Sequence, residues 1–136
     1  MTKRNKNILF LLPIFTIFGN EWIRTFIRPK YGKKEFSLIS EILGWLPNFL
    51  AAFGFLTMGV SLIIILQDAS QKQLTKRQGN LVLIVLVLMG LIGFIGHEVT
   101  QKGTGLIYDI NDIYATFAGI ALGSFLFYWA ILKQTR

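Results

Sequence analysis

The sequence predicts an all-α fold: an integral membrane four-helix bundle with a short interfacial amphipathic helix after the first span. Three observations carry that expectation. The chain is 53% apolar and only 15% charged, whereas a soluble domain carries about a quarter charged residues. Its apolar residues fall in long runs rather than at core-facing intervals, as in membrane spans. Basic residues and aromatic rings flank those runs, where lipid headgroups would sit. At 136 residues, a single domain over 1–136 is expected.

Spans are expected at about 8–27, 47–66, 80–97 and 112–132. In the first, Ile8–Phe18 is apolar apart from Thr16, and Pro13 is placed to kink it. Lys3, Arg4 and Lys6 ahead of an apolar run resemble a signal peptide. Gly19-Asn20-Glu21-Trp22 is not a small-residue cleavage site, so an uncleaved span is expected. The chain then turns amphipathic. Asn20, Glu21, Arg24, Thr25 and Arg28 share one helical face; Trp22, Ile23, Phe26 and Ile27 share the other. Charges this close to hydrocarbon are expected to face other helices or water. Glu21 and Arg24 have the spacing of a helical ion pair. Pro29 is expected to end the helix at or just before Arg28.

Pro29–Lys34 reads as a basic, turn-rich link. Glu35–Leu46 is too short to span and has a polar face at Ser37, Ser40, Glu41 and Gly44. It is expected to lie in the interface with Trp45 at headgroup depth. Pro47 suits the first turn of the second span. There Ala51, Ala52, Gly54, Gly59 and Ser61 offer close helix packing.

Gln67–Gly79 is a hydrophilic link with Asp68, Lys72, Lys76 and Arg77. In the third span Gly90, Gly93 and His97 share a face, so His97 is expected to point at neighbouring backbone. Gly103 and Gly105 signal a turn. Asp109 or Asn111 is placed to cap the last helix. In that helix Ala115, Gly119 and Gly123 recur every four residues, a small-residue face for internal packing. Phe125, Phe127, Tyr128 and Trp129 are expected to form an aromatic belt before Lys133 and Arg136.

Several chemistries find no support. Without cysteine there is no disulfide, thiol or Cys-metal chemistry. The net charge of +7 sits beside apolar spans, and no basic face with interleaved aromatics lies outside them, so nucleic acid is not an expected partner. His97-Glu98-x-x-Gln101 lacks the second histidine of a zinc protease, and His97 is the only histidine present. No serine nucleophile elbow is found. No catalytic residue, cofactor or resident metal is assigned. Glu98, Asp109 and Asp112 are nevertheless of the oxygen-ligand type that suits Mg²⁺ or Ca²⁺.

The stretch from His97 to Gly123 carries a resemblance. It supplies Glu98 and Gln101, then Gly105, Asp109 and Asp112, then Gly119 and Gly123. This order is similar to the C-terminal signature of the VanZ-like family of bacterial membrane proteins: Glu-x-x-Gln, a Gly-containing loop with a basic residue, Asp-x-x-Asp, and Asn-x-x-Gly-x-x-x-Gly. Leu106 and Thr116 stand where the family has Arg and Asn. Asn48–Phe53 resembles the family's H-F-x-A-Y stretch, without its Asp-Lys and His. The resemblance implies a bacterial cytoplasmic (inner) membrane protein of about four helices. The family's namesake is associated with low-level resistance to the glycopeptide teicoplanin.

An even number of spans puts both termini on one side. Eight basic residues fall on that side, three in the N-terminal flank, three in the second link and two in the C-terminal flank; six fall on the other. That bias favours cytoplasmic termini. Glu21, Arg24 and Arg28 would then share the outer face with His97, Glu98, Gln101, Asp109 and Asp112. These eight residues are the candidate ligand site, a polar outer-leaflet pocket for a lipid headgroup or other amphiphile. Arg24 and Arg28 would meet phosphate, and the carboxylates would orient them or meet sugar or amine groups.

The bland reading of the same residues is structural. Asp109 and Asp112 would complement the positive end of the last helix, and Glu98 with Gln101 would close the third onto its loop. Two functional alternatives stay open. One is a membrane-embedded enzyme acting on a lipid-linked headgroup. The other is a small transporter or partner subunit with the charged stripe of the first span lining a path. Membrane lipids and an amphiphilic or lipid-linked ligand are the expected partners; the oligomeric state is not encoded.

Overall fold

The computed structural model describes residues 3–31, 38–100 and 109–135. They form α1 (Lys3–Trp22), a π-helical turn (Ile23–Ile27), α2 (Arg28–Tyr31), α3 (Leu38–Ser70), α4 (Lys76–Thr100), α5 (Ile110–Ala130) and a 3₁₀ turn (Leu132–Gln134). Four continuous rods result, each long and apolar enough to cross a membrane: Asn5–Tyr31, Leu38–Ser70, Lys76–Thr100 and Ile110–Gln134. No strand occurs among the described residues. The fold is an all-α four-helix bundle of membrane-protein character.

α3 runs on to Ser70 and α4 starts from Lys76, both within the expected link of 67–79, and two further differences from expectation fall at prolines. The first rod does not stop at Arg28; it runs through Pro29 to Tyr31. A π turn precedes the proline, with Arg28 N–H donating to Ile23 O, one residue further back than in an α-helix. The wider turn makes room for a ring that would otherwise crowd the preceding carbonyls. The second rod runs unbroken from Leu38 through Pro47 to Ser70, so residues 38–46 are its first turns rather than a separate interfacial helix. Its 33 residues extend about 50 Å, roughly 20 Å beyond the hydrocarbon thickness. The rest of the expected interfacial segment, residues 35–37, lies outside the described residues.

The rods alternate in direction. Lys6 Nζ meets Asp68 Oδ1 at 2.6 Å, and the Ser61 hydroxyl donates to Leu9 O at 2.9 Å, so α1 and α3 run antiparallel. Gly119 lies against Phe49 and Ala52, and Gly123 against Leu56, so α3 and α5 run parallel. Gly90 touches Phe55 and Ile120 while Gly59 touches Leu86, which sets α4 antiparallel to both. α3 is central: it packs on α1, α4 and α5, and α4 also packs on α5.

Small residues decide where the rods touch. A Cβ at Gly119 would sit 2.5 Å from Phe49 O, and one at Gly123 would sit 2.4 Å from Leu56 Cβ. Without those side chains, α3 and α5 approach to backbone contact, the packing the four-residue repeat predicts. The remaining core is apolar: Leu9, Val60, Ile63, Ile64 and Phe127 toward one end, and Ala52, Leu56 and Ile120 near the middle. Buried hydroxyls bond to carbonyls of their own helices, Thr57 to Gly54 O and Thr116 to Asp112 O. Phe127 belongs to this core at 0% exposure and not to the aromatic belt. Phe125, Tyr128 and Trp129 do face outward. On α5, Phe127 follows Gly123 by four residues and continues the inward stripe.

Candidate functional site

Alternation gathers the ends of the first rod and α4 with the starts of α3 and α5. At this carboxylate end the polar residues meet. Asn48, directly after Pro47, projects from α3. Its Nδ2 donates to Glu98 Oε1 at 3.3 Å. Glu98 comes from the last turns of α4 and is 4% exposed. Asp112, in the first turn of α5, lies within reach of the same amide. An amide NH₂ has two donors, so one residue can serve both carboxylates. Asn48 thus joins α3 to α4 and sits beside the start of α5.

The surroundings of Asp112 are mostly negative. Glu98 and Asp109 are near enough to repel it, and Arg28 is near enough to attract it. Asp112 Oδ1 is buried and meets no hydrogen-bond donor among the described residues. An acceptor in that condition favours a donor or a cation beside it. Asp109 has a separate local task. Its side chain accepts from Asn111 N–H at 2.9 Å, capping α5 as its position predicts.

The cluster therefore contains Glu98, Asp109, Asp112 and Arg28 from the sequence-derived set, and adds Asn48. Of the other candidates, Glu21, Arg24 and His97 are exposed. Glu21 and Arg24 pair with each other at 3.7 Å, as their spacing predicts, with both side chains mostly exposed. His97 is exposed on α4, and its carbonyl accepts from the Thr100 hydroxyl. The expectation that it points at neighbouring backbone is corrected: Gly90 is buried, but Gly93 has nothing within 4 Å. The inward line continues through Phe94 to Glu98, one residue beyond His97 and about 100° around the helix. Gln101 lies outside the described residues. Among the described residues no three His, Cys, Asp or Glu side chains come together as a metal site.

Sequence reasoning missed Asn48 as a site residue. Its signal was slight: one amide at the start of an apolar run, directly after a proline. Only the tertiary fold shows that two acids distant in sequence converge on it.

Fold and cluster together define a class: a four-helix membrane bundle with a carboxylate cluster beside a buried amide at one end. No family model, curated protein or solved structure matches the chain.

Proposed function

We propose that this chain is a VanZ-like integral membrane protein of the bacterial cell envelope. In this reading it is a binding protein rather than an enzyme. Both termini are cytoplasmic, and the carboxylate end lies at the outer leaflet, where it holds the headgroup of a lipid or other amphiphile. The observation that carries the reading is the Asp112 carboxylate, set beside Glu98 and its Asn48 partner, with Oδ1 lacking a donor among the described residues and Arg28 nearby. An amine or sugar hydroxyl supplies the missing donor, and the Arg28 guanidinium suits a phosphate. A headgroup bearing both fits the cluster. The resemblance supports the same region, since Glu98, Asp109 and Asp112 lie in the cluster and Gly119 and Gly123 seat α5 against α3. The namesake's link to glycopeptide resistance makes an envelope role the natural context.

The Asp109 cap supports the plainer reading that the cluster only holds helices together. Binding of acyl-chain-labelled phosphatidylethanolamine to purified protein in nanodiscs separates the two. Asp112→Asn should weaken binding about tenfold, the scale of one lost hydrogen bond to a charged group, with unfolding unchanged. Unchanged binding together with altered unfolding would leave the scaffold reading in place. Release of a cleaved headgroup during the assay would favour the enzyme alternative.

A further inference from the structure

The opposite end of the bundle carries a second feature. An apolar groove of about 470 Å³ runs between α3 and α4, within the size range of small-ligand sites. Leu62, Leu66, Val82 and Leu86 line it. Leu62 and Leu66 are 55% and 57% exposed, so it opens on the face that would meet lipid. Its mouth is polar, with Lys72, Gln73 and Gln78. A separate polar cavity of about 230 Å³ adjoins it, and Gln67 and Gln73 line both.

Charge at this end is one-sided. Among the described residues at this end Asp68 is the one acid, against the basic Lys3, Arg4, Lys6, Lys72, Lys76, Arg77 and Lys133. Asp68 is already engaged, bonding Lys6 Nζ through both oxygens at 2.6 and 2.7 Å. Among the described residues Lys72 has no acidic partner. The acyl chain of a lipid gains little by exchanging other lipid tails for a leucine-lined groove. Any selective retention must come from the polar mouth.

We propose that this groove is a binding site for an anionic glycerophospholipid of the leaflet at the basic end. One acyl chain lies along Leu62, Leu66 and Val82, and the phosphate sits at Lys72. The amides of Gln67, Gln73 and Gln78 donate to its phosphate and ester oxygens. The apolar wall, the uncompensated cation at its mouth and the bank of amides together match this amphiphile. The site lies at the other end of the bundle from the carboxylate cluster and requires no amine, so it stands or falls separately.

The test is native mass spectrometry of the protein released from nanodiscs of mixed phosphatidylglycerol and phosphatidylcholine. The wild type should retain phosphatidylglycerol preferentially. Lys72→Gln should lower that preference about fivefold, or ~1 kcal/mol for one basic residue at an anionic surface. Lys76→Gln and Arg77→Gln should leave it near the wild-type value. Leu66→Trp, which fills the groove from an exposed position, should reduce retention of both lipids. Equal losses in all three charge variants would overturn the proposal in favour of a diffuse basic surface. Absence of any headgroup preference in the wild type, or full retention in Leu66→Trp, would overturn it as well. Thermal unfolding of each variant, expected to match the wild type, ties the result to the groove rather than to folding.

Discussion

Gly119→Ala is the sharpest probe of how this bundle is held. The added methyl would stand 2.5 Å from Phe49 O and 3.0 Å from both Ala52 Cβ and Phe53 N. Two of those neighbours are backbone atoms of α3, which cannot swing aside as a side-chain tip can. Ordinary contact begins near 3.4 Å, so α3 and α5 must separate by roughly 0.4–0.9 Å. A gap of that size forfeits about a quarter to a half of each contact's dispersion energy along the seam. Overpacking of this kind costs about 1–3 kcal/mol, while alanine returns up to about 1 kcal/mol of helix propensity. A net loss of about 1–2 kcal/mol is expected. Gly93→Ala is the control, because nothing lies within 4 Å of a Cβ there. It should be neutral or stabilise by about 0.5–1 kcal/mol. The assay is reversible unfolding in mixed micelles as denaturing detergent is titrated, followed by circular dichroism. If Gly119→Ala proves as stable as Gly93→Ala, the close approach of α3 and α5 is wrong, and with it the placement of Asn48 one residue before Phe49.

Two further outcomes follow from the cluster and the topology. Asn48→Ala removes a donor to the buried Glu98 carboxylate and should destabilise by about 1.5–3 kcal/mol in the same titration. Adding Glu98→Gln should then cost less than it does in the wild type, because the two residues are coupled; strict additivity would contradict the bridge. Because the sequence has no cysteine, single cysteines at Glu21, Asp68 and Asp109 report sidedness cleanly. An impermeant maleimide on intact cells should modify the variants at 21 and 109 alike and spare the one at 68. Opposite labelling of 21 and 109 would put the end of the first rod, with Arg28, on the other side from the carboxylates and defeat the headgroup proposal.

The features legible in the sequence are those whose partners lie within one or two helical turns. Four apolar runs give four rods. Asp109 two residues before Asn111 gives the cap, Glu21 three before Arg24 gives the pair, and the Ala115, Gly119, Gly123 repeat gives the packing seam of α5. Each depends on spacing that the α-helix fixes by itself. Outside α5, what spacing could not decide was which face of each rod turns inward. In a soluble helix the polar face marks the outside, but the middle stretches of these rods are apolar all round, so that cue is lost. The tertiary structure chose Glu98 over its neighbour His97, drew Phe127 into the core, and carried the helices through Pro29 and Pro47. It also made Asn48 the meeting point of two acids from other helices. The physical reason is the same throughout: shape at the contacts between rods and hydrogen-bond satisfaction of the few buried polar groups settle the rotation, and both depend on residues far apart in the chain.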